Sequence, residues 1–385
     1  MSPHRIESLA RTALPEMTDD LRMLVEHETP SDDKELLNAG LTAVEGWAYE
    51  RLGPPDEARR HDGGPHGDML ELLYRGTSPA TVLVLCHYDT VWPAGTLAKW
   101  PFHVAEDGRA SGPGVFDMKC GLMQAVWALR LLRELDLPRP AVRLFLNGDE
   151  EIGSPASRPH VERLSEDTVA TLVCEAAAGP EGALKTARKG GGIFELTVDG
   201  VESHAGLDPE RGASAVHALA ELVPRIVALG SPELGTTVNV GVISGGTARN
   251  VVAGQAHCGI DVRIAVPAEA DRVDTALAAL RPTDTRVRAT LTGGWNRPPM
   301  VPGPASELLF KQAQTIAADL GWTARETSVG GASDGNFVAA LGRPVLDGLG
   351  GVGDGAHARH EHVLLAHIPA RTALIAGLLT ACATR

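Results

Sequence analysis

Three short apolar runs, each broken off by ionisable residues, constrain this chain more than any other feature. Thr81-Val-Leu-Val-Leu-Cys86 runs into His87-Tyr-Asp89, Ala141-Val-Arg-Leu-Phe-Leu146 into Asn147-Gly-Asp-Glu150-Glu151, and Val169-Ala-Thr-Leu-Val-Cys174 into Glu175. Runs this short, rich in β-branched residues, read as strands buried on both faces. Between the first two, the segment from Cys120 to Leu135 places Leu122, Met123, Val126, Leu129 and Leu132 at helical spacing. Strands separated by helices build βαβ units, hence an α/β fold around a mainly parallel sheet. Sites in such sheets form at the carboxyl ends of the strands. The ionisable residues therefore gather along one sheet edge, where burial without partners is costly.

A bound cation resolves that cost. Asp117, in Gly112-Pro-Gly-Val-Phe-Asp-Met-Lys, precedes the predicted helix and adds another carboxylate. Histidine with several carboxylates and no thiolate suits zinc, cobalt or manganese in a hydrolytic role. Two histidines and three carboxylates exceed one tetrahedral zinc and suit two ions about 3.5–4 Å apart sharing a carboxylate. Of the adjacent Glu150 and Glu151, one can ligate while the other holds a water as general base. The five cysteines are scattered, with no CxxC pair, which excludes a thiolate zinc site and a disulfide framework. A formal net charge of −14 removes the electrostatic case for binding nucleic acid or an anionic membrane. The expectation is a cytoplasmic protein with no apolar leader and no membrane-spanning run.

From about Arg188 the pattern changes to strand, helix, two strands, helix, strand. This is a βαββαβ, ferredoxin-like α+β module inserted at 188–294 into a discontinuous catalytic domain, 1–187 and 295–385. Its helix from Ala213 to Leu229 carries Val216, Leu219, Leu222 and Val223 on one side, and Gly190-Gly-Gly192 and Gly293-Gly294 are the candidate hinges.

The motifs together resemble the M20 metallopeptidase family, and within it the glutamate carboxypeptidase (carboxypeptidase G2-like) branch. They are His87-Tyr-Asp-Thr-Val, the Asp117 segment, Gly148-Asp-Glu-Glu-Ile-Gly-Ser154, Glu175, Ser203-His-Ala-Gly206 and Gly355-Ala-His-Ala-Arg-His-Glu361. The resemblance runs from about Leu24 to the C-terminus and implies a dizinc domain with an inserted lid or dimerisation domain. It implies that His87, Asp117 and Glu175 hold one metal, with Asp117 bridging to a second held by Glu151 and His357. Glu150 would be the catalytic base and Asp89 would orient His87. His357 is chosen over His360, His362 and His367 because it stands a few residues before Glu361. By the same resemblance His204 stabilises the oxyanion from a neighbouring subunit, Asn250 and Arg263 bind substrate, and Gly330 and Gly331 line the substrate loop. The Asp117–Met118 peptide bond is expected to be cis. Cys120 and Trp92 depart from the commonest family pattern on the substrate side.

The function these readings imply is metal-dependent cleavage of an amide next to a free carboxylate, in short peptides or N-acyl amino acids, with C-terminal glutamate substrates among the candidates. The chain would be a homodimer through the lid, loaded with two divalent ions, zinc before cobalt or manganese. An aminoacylase or biosynthetic deacylase on one N-acyl metabolite would use the same machinery. A non-catalytic binding protein on this fold would not need all five ligands and Glu150.

Overall fold

The computed structural model describes residues 3–383. The chain divides into two compact units, Met1–Ala187 with Pro302–Val329 and Ser333–Arg385, and Arg188–Val301 with Gly330–Ala332.

A six-stranded sheet organises the first unit. Its order in space is Glu57–His61, Gly67–Tyr74, Ala141–Gly148, Thr81–His87, Ala170–Val173, Val345–Leu346. The last four strands are parallel, while the first two are added antiparallel, so the sheet is mixed. Val82 to His87 are all buried, as a strand covered on both faces requires. Pairing of His87 with Asn147 and of Leu85 with Val173 brings the three strand ends level. The helix Cys120–Glu134 is buried almost all round, because it packs against Lys34–Leu52, Ile368–Cys382 and the central strand. Each such buried leucine or valine stabilises the unit by about 1.5–3 kcal/mol relative to exposure.

One element departs from the expectation that no run is apolar enough to span a membrane. The stretch Leu365–Cys382 passes that test by length and composition. Most of it is nevertheless buried inside the unit. Its one charge, Arg371, is buried and donates to the carbonyl oxygens of Gly350 at 3.1 Å, Gly182 at 2.9 Å and Gly348. A charge bonded to backbone in the protein interior marks a core helix.

The second unit has its own core, which includes Phe194, Leu196, Leu219, Leu222, Ile226, Ile260 and Val262. Its main elements are Gly190–Asp199, Ala215–Val227, Thr237–Gly245, Gln255–Ile264, Ala268–Ala278 and Arg288–Arg297. The four strands form an antiparallel sheet in the order Thr237–Gly245, Gln255–Ile264, Gly190–Asp199, Arg288–Arg297. Val216, read from sequence as facing inward, is 38% exposed. The supposed hinge glycines lie inside paired strands: Gly190 opposes Ile264, and Gly293 opposes Phe194. A Cβ on Gly190 would stand 2.6 Å from the Arg297 oxygen, and one on Gly293 2.2 Å from the Ile193 oxygen. These glycines admit close approach of backbone rather than bending. Because the last strand runs on to Arg297, the unit ends at Val301 rather than at 294.

Candidate metal centre

Strand ends of the first unit deliver the candidate ligands, and the side chains converge. His87 closes the central strand with its ring buried. Its Nε2 lies 3.2 Å from Asp117 Oδ1 and 3.4 Å from Glu175 Oε1. Its Nδ1 lies 3.1 Å from the Asp89 carbonyl oxygen and 3.3 Å from Asp89 Oδ1, which fixes the ring and turns Nε2 toward the other carboxylates. On the other side, His357 Nε2 stands 3.0 Å from Glu151 Oε2 and 3.4 Å from Asp117 Oδ2. Asp117 thus presents one oxygen to each histidine. Glu150 approaches from the His87 side: its carboxylate, the His87 ring and Glu175 bring ligand atoms within 4.8 Å of one another, as do His87, Asp117 and Glu151.

Three buried carboxylates hold these groups in place. Asp89 accepts from the Glu150 amide at 3.3 Å through Oδ1, and from the Glu151 amide at 3.2 Å and Ser31 Oγ at 2.8 Å through Oδ2. Glu361 accepts from the amides of Phe116 at 2.9 Å and Asp117 at 3.1 Å through Oε1. Its Oε2 accepts from the Gly114 amide at 3.1 Å and Trp92 Nε1 at 2.9 Å. The Asp117–Met118 bond within this loop is cis, as expected. Asp334 accepts from Asn147 Nδ2 at 2.8 Å and Ser154 Oγ at 2.5 Å, bracketing the single turn Glu150–Ile152.

Electrostatics follow from the crowding. Hydrogen bonds to Asp117 and Glu151 raise the His357 imidazole to about 11. Burial pushes Glu151 up to about 7 although His357 pulls the other way. Burial opposes ionisation of Asp117, but His357 and His87 hold it below the carboxylate range. For His87 burial favours the neutral ring, and Asp117, Asp89 and Glu175 outweigh it. The donor set is all imidazole and carboxylate. Glu151 Oε1 is buried and has no hydrogen-bond partner. A buried oxygen left in that state fits a divalent cation.

The other expected site residues lie in the second unit. His204 pairs with Val251 in a two-residue ladder, which brings Asn250 beside it, and the Ala205 amide donates to the Asn250 oxygen at 2.9 Å. His204 Nδ1 accepts from the amides of Gly206 at 3.1 Å and Leu207 at 3.0 Å. Arg263 is forked onto Asp261, with Nε at 2.9 Å from Oδ1 and Nη2 at 2.8 Å from Oδ2. Gly330 and Gly331 are exposed, and Arg188 Nη1 donates to the Gly331 oxygen at 3.1 Å. Sequence reasoning passed over Ser31, Asp334 and the anchoring role of Glu361. Their bonds reach across 58 to 269 residues, and no local pattern signals them.

Comparison with known proteins places the same residues in a family context. The model of peptidase family M20/M25/M40 matches residues 83–381. Carboxypeptidase G2 of Pseudomonas sp. (strain RS-16) is 28% identical over 378 residues, covering 95% of this chain and 89% of that protein. A succinyl-diaminopimelate desuccinylase of Paracidovorax citrulli is 29% identical, covering 88% of this chain and 90% of its own. Among solved structures, a tripeptidase from Staphylococcus aureus superposes with a TM-score of 0.79 at 21% identity, covering 97% and 99% of the two chains. An M20 family metallo-carboxypeptidase from Sulfolobus solfataricus gives 0.77 at 17% identity, covering 96% and 100%.

Proposed function

Because the chain belongs to peptidase family M20/M25/M40, we propose that it cleaves an amide bond next to a free carboxylate in short peptides or N-acyl amino acids. The observation that carries this reading is Asp117 facing His87 with one oxygen and His357 with the other. That arrangement supports two divalent ions, zinc by preference, with His87 and Glu175 at one and Glu151 and His357 at the other. When bound, such ions polarise the scissile carbonyl and acidify water.

The remaining chemistry belongs to the chain. Glu150, largely buried and within reach of the His87–Glu175 side, takes the proton of the attacking water and returns it to the leaving amine. Asp89 keeps the His87 ring turned and the Glu150 turn in place. In the second unit, His204 would steady the developing oxyanion, while Asn250, Arg263 and the Gly330–Gly331 backbone would bind substrate. Arg263 must then exchange Asp261 for the substrate carboxylate. A homodimer through the second unit is supported by its exposed edge strand Thr237–Gly245, where Val242 and Ile243 are each 61% exposed. Five buried free cysteines suit a reducing cytoplasm.

Similarity to desuccinylases as well as to a carboxypeptidase favours a second reading, a deacylase of one N-acyl metabolite. A hydrolysis screen across N-acyl amino acids and dipeptides, with metal-loaded and chelator-treated protein, separates the two. Broad turnover supports the first reading and a single substrate the second. No metal-dependent turnover of any amide overturns both.

A further inference from the structure

Beside the His357 half of the centre stands a cation with no carboxylate partner among the described residues. Arg359 is exposed, two residues beyond His357, on the loop that ends at the buried Glu361. Its guanidinium carbon lies 5.0 Å from the Trp92 ring centroid and 5.8 Å from that of Trp100. The two indoles meet edge to face at 5.0 Å. Among the described residues, no carboxylate pairs with Arg359 and no hydrogen bond holds it. Several other exposed arginines of this acidic chain are paired, Arg158 with Glu162, Arg286 with Asp284 and Arg325 with Glu181, whereas Arg211 and Arg249 in the second unit are exposed as Arg359 is but lack its aromatic seat. Arg263, the arginine expected to bind substrate, is forked onto Asp261.

Indole faces attract a guanidinium through the ring quadrupole and leave its in-plane N–H groups free. Those groups form the fork that matches a carboxylate. The shelf is also fixed relative to the chemistry. Trp92 Nε1 donates to Glu361, the same carboxylate that holds the Asp117 amide.

We propose that Arg359, seated on Trp92 and Trp100, is a subsite for a second carboxylate of the substrate, besides the one next to the scissile amide. This rests on the hydrolase reading above and narrows it to doubly acidic amides. The second carboxylate sits either on the acyl half or on the side chain of the released amino acid.

Two substrate pairs distinguish those sources: N-succinyl-alanine against N-butyryl-alanine, and N-acetyl-glutamate against N-acetyl-glutamine. In the intact enzyme the acidic member of one pair is preferred in kcat/KM, and Arg359→Gln lowers that preference by about 10- to 100-fold, mainly through KM. The pair that responds names the half. Unchanged preferences in both pairs overturn the proposal. A binding measurement keeps it separate from the hydrolase reading. Succinate should perturb tryptophan fluorescence at lower concentration than butyrate, and Arg359→Gln should remove that difference. If no amide is cleaved but this difference holds, the hydrolase reading fails and the subsite stands. Identical succinate and butyrate titrations in the unaltered protein overturn the subsite whatever the activity.

Discussion

His87 and His357 face opposite oxygens of Asp117, yet the first side chain is 1% exposed and the second 52%. The His87 half grows from the end of a buried parallel strand, and Asp89 locks its ring from behind. The His357 half hangs from an exposed loop, with His357 itself in a left-handed backbone conformation at φ 61°. Its support is indirect, through Glu361 and the amides around Asp117. Glu150 and Glu151, neighbours in sequence, reach different partners: Glu150 gathers with His87 and Glu175, while Glu151 faces His357 and also lies near His87 and Asp117. One half is therefore built for fixed geometry, the other for access.

The sharpest way to break this comparison is to change those two glutamates separately. Glu150→Gln should retain metal and lower kcat by about 10²–10⁴, the usual effect of a missing acid–base group. Glu151→Gln should instead lower metal content on the exposed side. Metal analysis beside steady-state kinetics reads both. If Glu150→Gln loses metal and Glu151→Gln keeps it, the two roles are exchanged.

Next in size is the lock on the buried half. Asp89→Asn keeps the shape but weakens acceptors for the Glu150 and Glu151 amides and the partner of His87 Nδ1. Outer groups of this kind are worth about 10- to 100-fold in metal affinity or activity. A competition titration with a chromophoric chelator measures it. Unaltered affinity together with unaltered kcat would mean that the strand alone fixes His87.

How much of this was legible in the sequence follows the same division. His87, Glu150, Glu151 and Glu175 were legible because buried strands announce themselves and sites form at their carboxyl ends. His357 had no such strand, and only its spacing to Glu361 within the family motif singled it out. Trp92, Arg359 and Ser31 act through contacts between distant segments, which periodicity does not encode. The glycine pairs of the second unit misled for a related reason. A glycine that lets strands touch, as Gly293 does at Ile193, looks in sequence like one that lets a chain bend.

The exposed half is tested through pH. In the metal-free protein His357 keeps its proton up to about pH 11, while Glu151 loses its own at about 7. A ligand nitrogen must be unprotonated, so binding on this side displaces the His357 proton. Affinity should rise about tenfold per pH unit between about 7 and 11, and more steeply below 7, where Glu151 is protonated too. The His357→Asn variant should lose the part of this slope that His357 contributes. Chelator competition at several pH values gives the slope, and a flat profile would show that His357 is already neutral.

The smallest expected change concerns what steadies the exposed half from below. Trp92→Phe removes one of the four hydrogen bonds to the buried Glu361 carboxylate but leaves an aromatic face beneath Arg359. A hydrogen bond to a charged group contributes about 1.5–3 kcal/mol, and the three backbone amides that remain should keep the loss near the lower end. The denaturation midpoint should fall accordingly with the slope unchanged. Trp92→Ala should lose this hydrogen bond and the shelf together, so the preference for acidic amides falls in Trp92→Ala and survives in Trp92→Phe. If both variants lose stability equally and neither alters the preference, Trp92 supports the Asp117 loop alone, and Arg359 is held by Trp100 without it.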